Sequence, residues 1–172
     1  MAVRPIVVVG VPVLRQKAKK VSQFDQNLQK LIDDMIETMR AAPGVGLAAP
    51  QIGVPLRVAV IEVDEKVTVL VNPEIVKMSD ETEELDEGCL SVPGYWGRIT
   101  RAKAVTVKAR DRHGKEIRVK GEGLFGQALQ HETDHLNGIL YIDRPGVIDT
   151  LQRTRPERAR EPREPEPAPS GS

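Results

Sequence analysis

Two histidines on the apolar side of one predicted helix, His131 and His135, restrict what this chain can fold into more than any other feature. From about Gly123 onward Leu124, Ala128, His131 and His135 recur at spacings of three and four, so they share a helix face, and Asn137-Gly138 offers a left-handed stop. An imidazole buried on such a face needs a partner, because an unpaired polar ring there is costly. A metal ion is one such partner. Glu132 follows His131 directly, which puts a carboxylate on the flank of the pair, close to where a water on that ion would sit. The chain has three histidines, and this helix uses two of them.

The rest of the composition narrows the setting. At 172 residues the chain is long enough for one domain with a core and too short for two of ordinary size. Lys+Arg and Asp+Glu are both 25, so no basic excess points to nucleic acid or to an anionic membrane as the main partner. A single cysteine, Cys89, excludes an internal disulfide and fits a reducing compartment. The apolar run from Ile6 to Leu14 is interrupted by Gly10 and Pro12, followed by Arg15, Lys17, Lys19 and Lys20, and lacks a small-residue cleavage site. We read it as an ordinary buried segment of a soluble, cytoplasmic protein.

Phe24, Leu28, Leu31, Ile32, Met35, Ile36 and Met39 predict an amphipathic helix capped by Ser22 or Asp25 and stopped by Pro43-Gly44. Residues 43–53 form a Gly-, Ala- and Pro-rich connection. β-Branched runs at Leu56–Val63, Val67–Val71, Glu74–Met78, Ala104–Ala109 and Glu116–Lys120 predict strands, with His113 in a hairpin loop between the last two. After Leu151 the chain turns to Arg, Glu and Pro and cannot bury enough apolar surface to fold alone, so 151–172 is expected to be a disordered tail.

A catalytic metal takes three protein ligands and keeps one position open, so a third ligand is required. In the extended His-Glu-x-x-His-x-x-Gly-x-x-His pattern of some zinc peptidases, Gly138 matches the glycine but Tyr141 stands in the last histidine's place. The alternative, a downstream glutamate on a second helix, finds only the glutamates of the Pro-rich tail. Upstream, Cys89 in Glu87-Gly88-Cys89-Leu90-Ser91 would complete a tetrahedral set, although a lone cysteine is also common as a small buried hydrophobe. On the residues alone a zinc metallopeptidase, and a non-catalytic protein clipped by a metal, stay open.

Three segments in order, Gly44-Val45-Gly46-Leu47-Ala48-Ala49-Pro50-Gln51, Glu87-Gly88-Cys89-Leu90-Ser91 and Gln130-His131-Glu132-Thr133-Asp134-His135, together resemble the peptide deformylases. Pro12-Val13-Leu14-Arg15 and the intervening strands are also similar, so the likeness runs to about Asp143. The resemblance implies an enzyme that removes the formyl group from the formylmethionine of nascent polypeptides and releases formate. It implies that Cys89, His131 and His135 bind one divalent metal, Fe(II) in the family and replaceable by Zn, Ni or Co, with Glu132 as proton shuttle. It also implies that the Gln51 amide and the Leu90 backbone N–H stabilise the oxyanion. Val45, Gly46 and Gly88 would pair with the substrate main chain, and Val45, Leu124 and Ala128 would line a methionine pocket with the edge of His131. Gln127 is a polar residue on this substrate-facing helix and either alters the pocket or faces solvent. Some family members dock on the ribosome through a C-terminal helix, but five prolines after Leu151 argue against that route here. The expected fold is α+β: mixed or antiparallel strands packed around a central metal-binding helix, with an N-terminal amphipathic helix. The catalytic domain is expected over 1–150 and the tail over 151–172.

Overall fold

Eight strands and two α-helices make up the computed structural model, which describes residues 2–154. A five-stranded sheet has the order β1 (Gly46–Ala48), β2 (Val58–Val63), β3 (Lys66–Met78), β6 (Ala104–Arg110) and β7 (Glu116–Glu122). A three-stranded sheet has the order β4 (Thr82–Cys89), β5 (Val92–Ala102) and β8 (Gln152–Arg153). Every pairing between these strands is antiparallel. The fold is thus α+β, with helix α2 (Gly123–Leu136) packed on β1, β2, β6 and β7 and touching β5 of the other sheet.

Helix α1 (Gln26–Ala41) starts where Asp25, rather than Ser22, accepts the backbone N–H of Leu28. Its buried side chains Leu28, Leu31, Ile32, Met35 and Met39 meet Leu47, Val58 and Val60 in one core. A second core joins β2, β3 and β6 to Ala128 and Leu129 of α2. Val92, Ile99, Leu140, Tyr141 and Val147 form a third beneath the smaller sheet. Together these cores hold α2 in the seam between the sheets.

Several expectations are corrected. The run from Ile6 to Leu14 is not buried: Val8, Val9 and Val11 are 44%, 42% and 37% exposed, and of the run only Leu14 lies fully in the core. The strands expected at 67–71 and 74–78 are one strand. Asn72, at φ 53°, carries β3 past Pro73, and its side chain pairs with both backbone groups of Val21. The connection at 43–53 contains edge strand β1 and a 3₁₀ turn, Ala49–Ile52. The long hairpin β4–β5 has no counterpart among the expected strands. Beyond the boundary expected at residue 150, Gln152 and Arg153 pair with Trp96 and Tyr95, and the Thr154 N–H donates to the Gly94 carbonyl. The rest of the expected tail, 155–172, lies outside the described residues.

Candidate metal centre and substrate cleft

Cys89 ends β4, where the pairing with β5 slips in register, and the two histidines lie one turn apart on α2. The helix stops where the chain must reverse: Gly138 has φ 76°, and a Cβ there would lie 2.6 Å from the Arg15 carbonyl oxygen. Arg57 braces this end by donating to the Leu136 carbonyl at 2.8 Å and to Asn137 Oδ1 at 3.0 Å. These contacts fix the last turn of α2, which carries His135.

The three side chains converge. Cys89 Sγ lies 3.3 Å from His135 Nε2, which lies 3.1 Å from His131 Nε2, and all three donor atoms fall within 4.8 Å of one another. A tetrahedral ion with metal–nitrogen and metal–sulfur bonds of usual length separates such donors by about 3.4–3.6 Å. His131 Nδ1 is 2.8 Å from Glu87 Oε2, so Nδ1 donates to that carboxylate and Nε2 faces the other two donors. Burial works against charge on His131, but hydrogen bonds to Cys89 and Glu87 raise its pKa well above the ordinary value. Burial and that neighbouring charge keep His135 well below it. The surroundings therefore favour positive charge where the donors meet, and a thiolate with two imidazole nitrogens suits a divalent cation.

Glu132 is buried beside these donors, with Oε1 3.8 Å from His131 Nε2 and Oε2 without a hydrogen-bond partner among the described residues. Burial pushes its carboxyl up to about 7, although the charge on His131 opposes the shift. A carboxyl in that range exchanges protons near neutral pH. Gly46 makes room for it, since a Cβ at that position would lie 2.9 Å from Glu132 Oε1.

Gln51 is buried, and its amide has one orientation. Oε1 accepts the Ala48 N–H at 2.9 Å, so Nε2 faces Ser91 Oγ at 3.1 Å and Cys89 Sγ at 3.7 Å. A cleft of about 580 Å³ opens over this group. Gln51, Cys89, Leu90, His131 and Glu132 line it, as do all five expected substrate contacts, Val45, Gly46, Gly88, Leu124 and Ala128. His135 lies behind them and is 1% exposed. The edge strands β1 and β4, one from each sheet, flank the opening.

Some functional groups went unassigned in the sequence. Glu87 receives Arg101 Nε at 3.0 Å and Nη2 at 2.5 Å as well as His131, and these hydrogen bonds outweigh burial to hold its carboxyl at about 2. Arg101 also donates to Asp134 Oδ2 at 2.8 Å, and Arg144 pairs with the same carboxylate. Asp134 could have been noticed, because it stands one turn after His131, but Arg101 left no local signal. Gln127 is half-buried and does not simply face solvent: its Nε2 bridges from α2 to the Asp86 carbonyl at 2.9 Å and to Glu87 Oε1 at 3.1 Å.

Known proteins resemble this chain in sequence and fold. The family model described as polypeptide deformylase matches residues 3–153. A peptide deformylase of Dehalococcoides mccartyi (strain CBDB1) is 56% identical over 91% of this chain and 95% of its own length. Another, from Heliobacterium modesticaldum, is 55% identical over 84% and 95% respectively. Among solved structures, a peptide deformylase from Legionella pneumophila aligns with TM-score 0.81 and 51% identity over 83% of this chain and 86% of that one. One from Synechococcus elongatus in complex with actinonin gives 0.79 and 42% over 81% and 76%. A family match spanning nearly all the described residues, joined to relatives more than half identical over most of the chain, means that this chain belongs to the polypeptide deformylase family.

Proposed function

We infer that this protein is a metal-dependent hydrolase that removes the formyl group from the N-terminal formylmethionine of nascent polypeptides and releases formate. The observation that carries the reading is the convergence of Cys89 Sγ and the two Nε2 atoms beside the cleft, with the buried Glu132 carboxyl alongside. A divalent ion held by Cys89, His131 and His135 would supply Lewis acidity and bring the ionisation of water towards neutral pH. Fe(II) is the ion we propose, and Zn, Ni and Co suit the same donors.

Glu132 takes the proton of the attacking water and returns it to the leaving amine, a role suited to a carboxyl near 7. Charge developing on the formyl oxygen meets the Gln51 amide, whose NH₂ end is fixed by the bond from Ala48 to its oxygen, and the Leu90 backbone N–H. The substrate lies extended between β1 and β4, pairing with Val45, Gly46 and Gly88. The methionine side chain rests on Val45, Leu124, Ala128 and the edge of His131. Backbone pairing tolerates varied sequence beyond the first residue. Among the described residues no helix is long and apolar enough to cross a membrane. A thiolate ligand is best kept in a reducing compartment, and on that ground we assign the protein to the cytoplasm.

The test is anaerobic purification with metal analysis, followed by assay of a formyl-Met peptide, its unformylated counterpart and an internal amide. Formate release from the first alone is expected, with one equivalent of iron. Cleavage of the internal amide without formate release would favour a metallopeptidase. A fourth protein ligand on the ion would favour a structural clip.

A further inference from the structure

The apolar N-terminal run is held by its main chain rather than by burial. The Val7 N–H donates to the Gln51 carbonyl at 2.8 Å, and the Val9 N–H donates to the Ser91 carbonyl at 2.7 Å. These two acceptors adjoin different sheets: Gln51 lies in the 3₁₀ turn that follows β1 of the larger one, and Ser91 in the turn between β4 and β5 of the smaller. Their side chains meet through Gln51 Nε2 and Ser91 Oγ at 3.1 Å. In an extended chain, N–H groups two residues apart point the same way and are spaced by roughly 6.7 Å. One segment therefore bridges the two backbones that carry Gln51 and Ser91.

Both ends of the segment are anchored. The Ala2 N–H donates to Asp34 Oδ1 at 2.8 Å, the Arg4 N–H to Thr38 Oγ1 at 2.9 Å, and the Arg4 guanidinium to Asp34 Oδ2, so the outer end is tied to α1. Leu14, 1% exposed, holds the inner end in the core. Val8 donates no hydrogen bond from its backbone among the described residues.

We propose that residues 6–9 form a positioning strap that fixes Gln51 against Ser91 and so aims its amide at the developing oxyanion. The proposal rests on the deformylase reading. Val7 and Val9 are positioning residues acting through their N–H groups, which proline removes. In metal-loaded enzyme, Val7→Pro and Val9→Pro are expected to lower kcat by about 10-fold or more, with KM within about twofold and metal content unchanged. Val8→Pro is expected to stay within about twofold of the parent. In a Gln51→Ala background Val9→Pro is expected to produce no further loss, because the strap acts only through that amide.

Parent-like kcat in Val9→Pro, an equal loss in Val8→Pro, or an undiminished loss in the Gln51→Ala background would each overturn the strap. Hydrogen exchange on the unaltered protein gives a check that does not depend on how the variants fold. The Val7 and Val9 amides should be protected about 1,000-fold or more while the Val8 amide exchanges freely, and unprotected Val7 and Val9 amides would also overturn it. A parent enzyme that releases no formate would instead remove the deformylase reading, a separate and recognisable result.

Discussion

Replacing Glu87 by Gln isolates the charge on which the His131 side of the centre rests. The Glu87 side chain is 4% exposed and takes hydrogen bonds from His131 Nδ1, from two nitrogens of Arg101 and from Gln127. Glutamine keeps the shape but turns an NH₂ group towards donors, and it leaves the buried Arg101 with Asp134 as its remaining acidic partner. Removing one partner of a buried pair costs about 3–5 kcal/mol. Linkage gives a similar figure, since a carboxyl held at about 2 against 4.5 is worth about 3 kcal/mol. Because the folded pKa is depressed, this stability is fully present above the unfolded value of 4.5 and is lost as pH falls towards about 2. Urea denaturation of the metal-free protein should therefore separate Glu87→Gln from the parent by about 3 kcal/mol near neutral pH and by less than half of that at roughly pH 3. Chelator competition should show metal affinity weakened about 10–100-fold, as expected when a histidine ligand loses its orienting carboxylate. A gap that is absent near neutral pH, or the same at both pH values, would refute the reasoning.

Glu132→Ala should retain its metal while formate release falls by about 10²–10⁴-fold, and a variant keeping most of its activity would contradict a proton-shuttle role. Gly46→Ala adds a methyl 2.9 Å from Glu132 Oε1, so kcat should fall by about 10-fold or more at unchanged metal content; steady-state kinetics beside metal analysis checks this. Chelation should abolish formate release, with anaerobic Fe(II) restoring it, and activity that survives complete metal removal would rule out the proposed chemistry.

Helix α2 was legible because its three-and-four spacing fits a helix, but its burial was not: it is buried nearly all round, while Leu124 of the expected face is 47% exposed. The third ligand was not legible from spacing: Cys89 and His131 come together only through the packing of two sheets, and resemblance supplied the link. The segment 82–87, Thr-Glu-Glu-Leu-Asp-Glu, carries little β propensity, yet it forms β4 because Leu85 packs inward and the buried charge of Glu87 is met by Arg101 and His131. Tertiary charge pairing there overrides local preference. The valines of the N-terminal run misled in the opposite direction. Their hydrophobicity suggested burial, whereas Val7 and Val9 make their long-range bonds with backbone N–H groups that no hydropathy pattern reports.

The seam between the two sheets also has a thermodynamic consequence. An ion held by Cys89 and the two histidines would cross-link the end of β4 to α2 across about forty residues of chain, so its binding energy would also be folding energy. At a free-ion concentration 100 times the dissociation constant this adds about 2.7 kcal/mol to stability. The melting temperature of the whole domain should then rise and fall with metal supply, making the protein's thermal stability a gauge of how fully its catalytic centre is loaded.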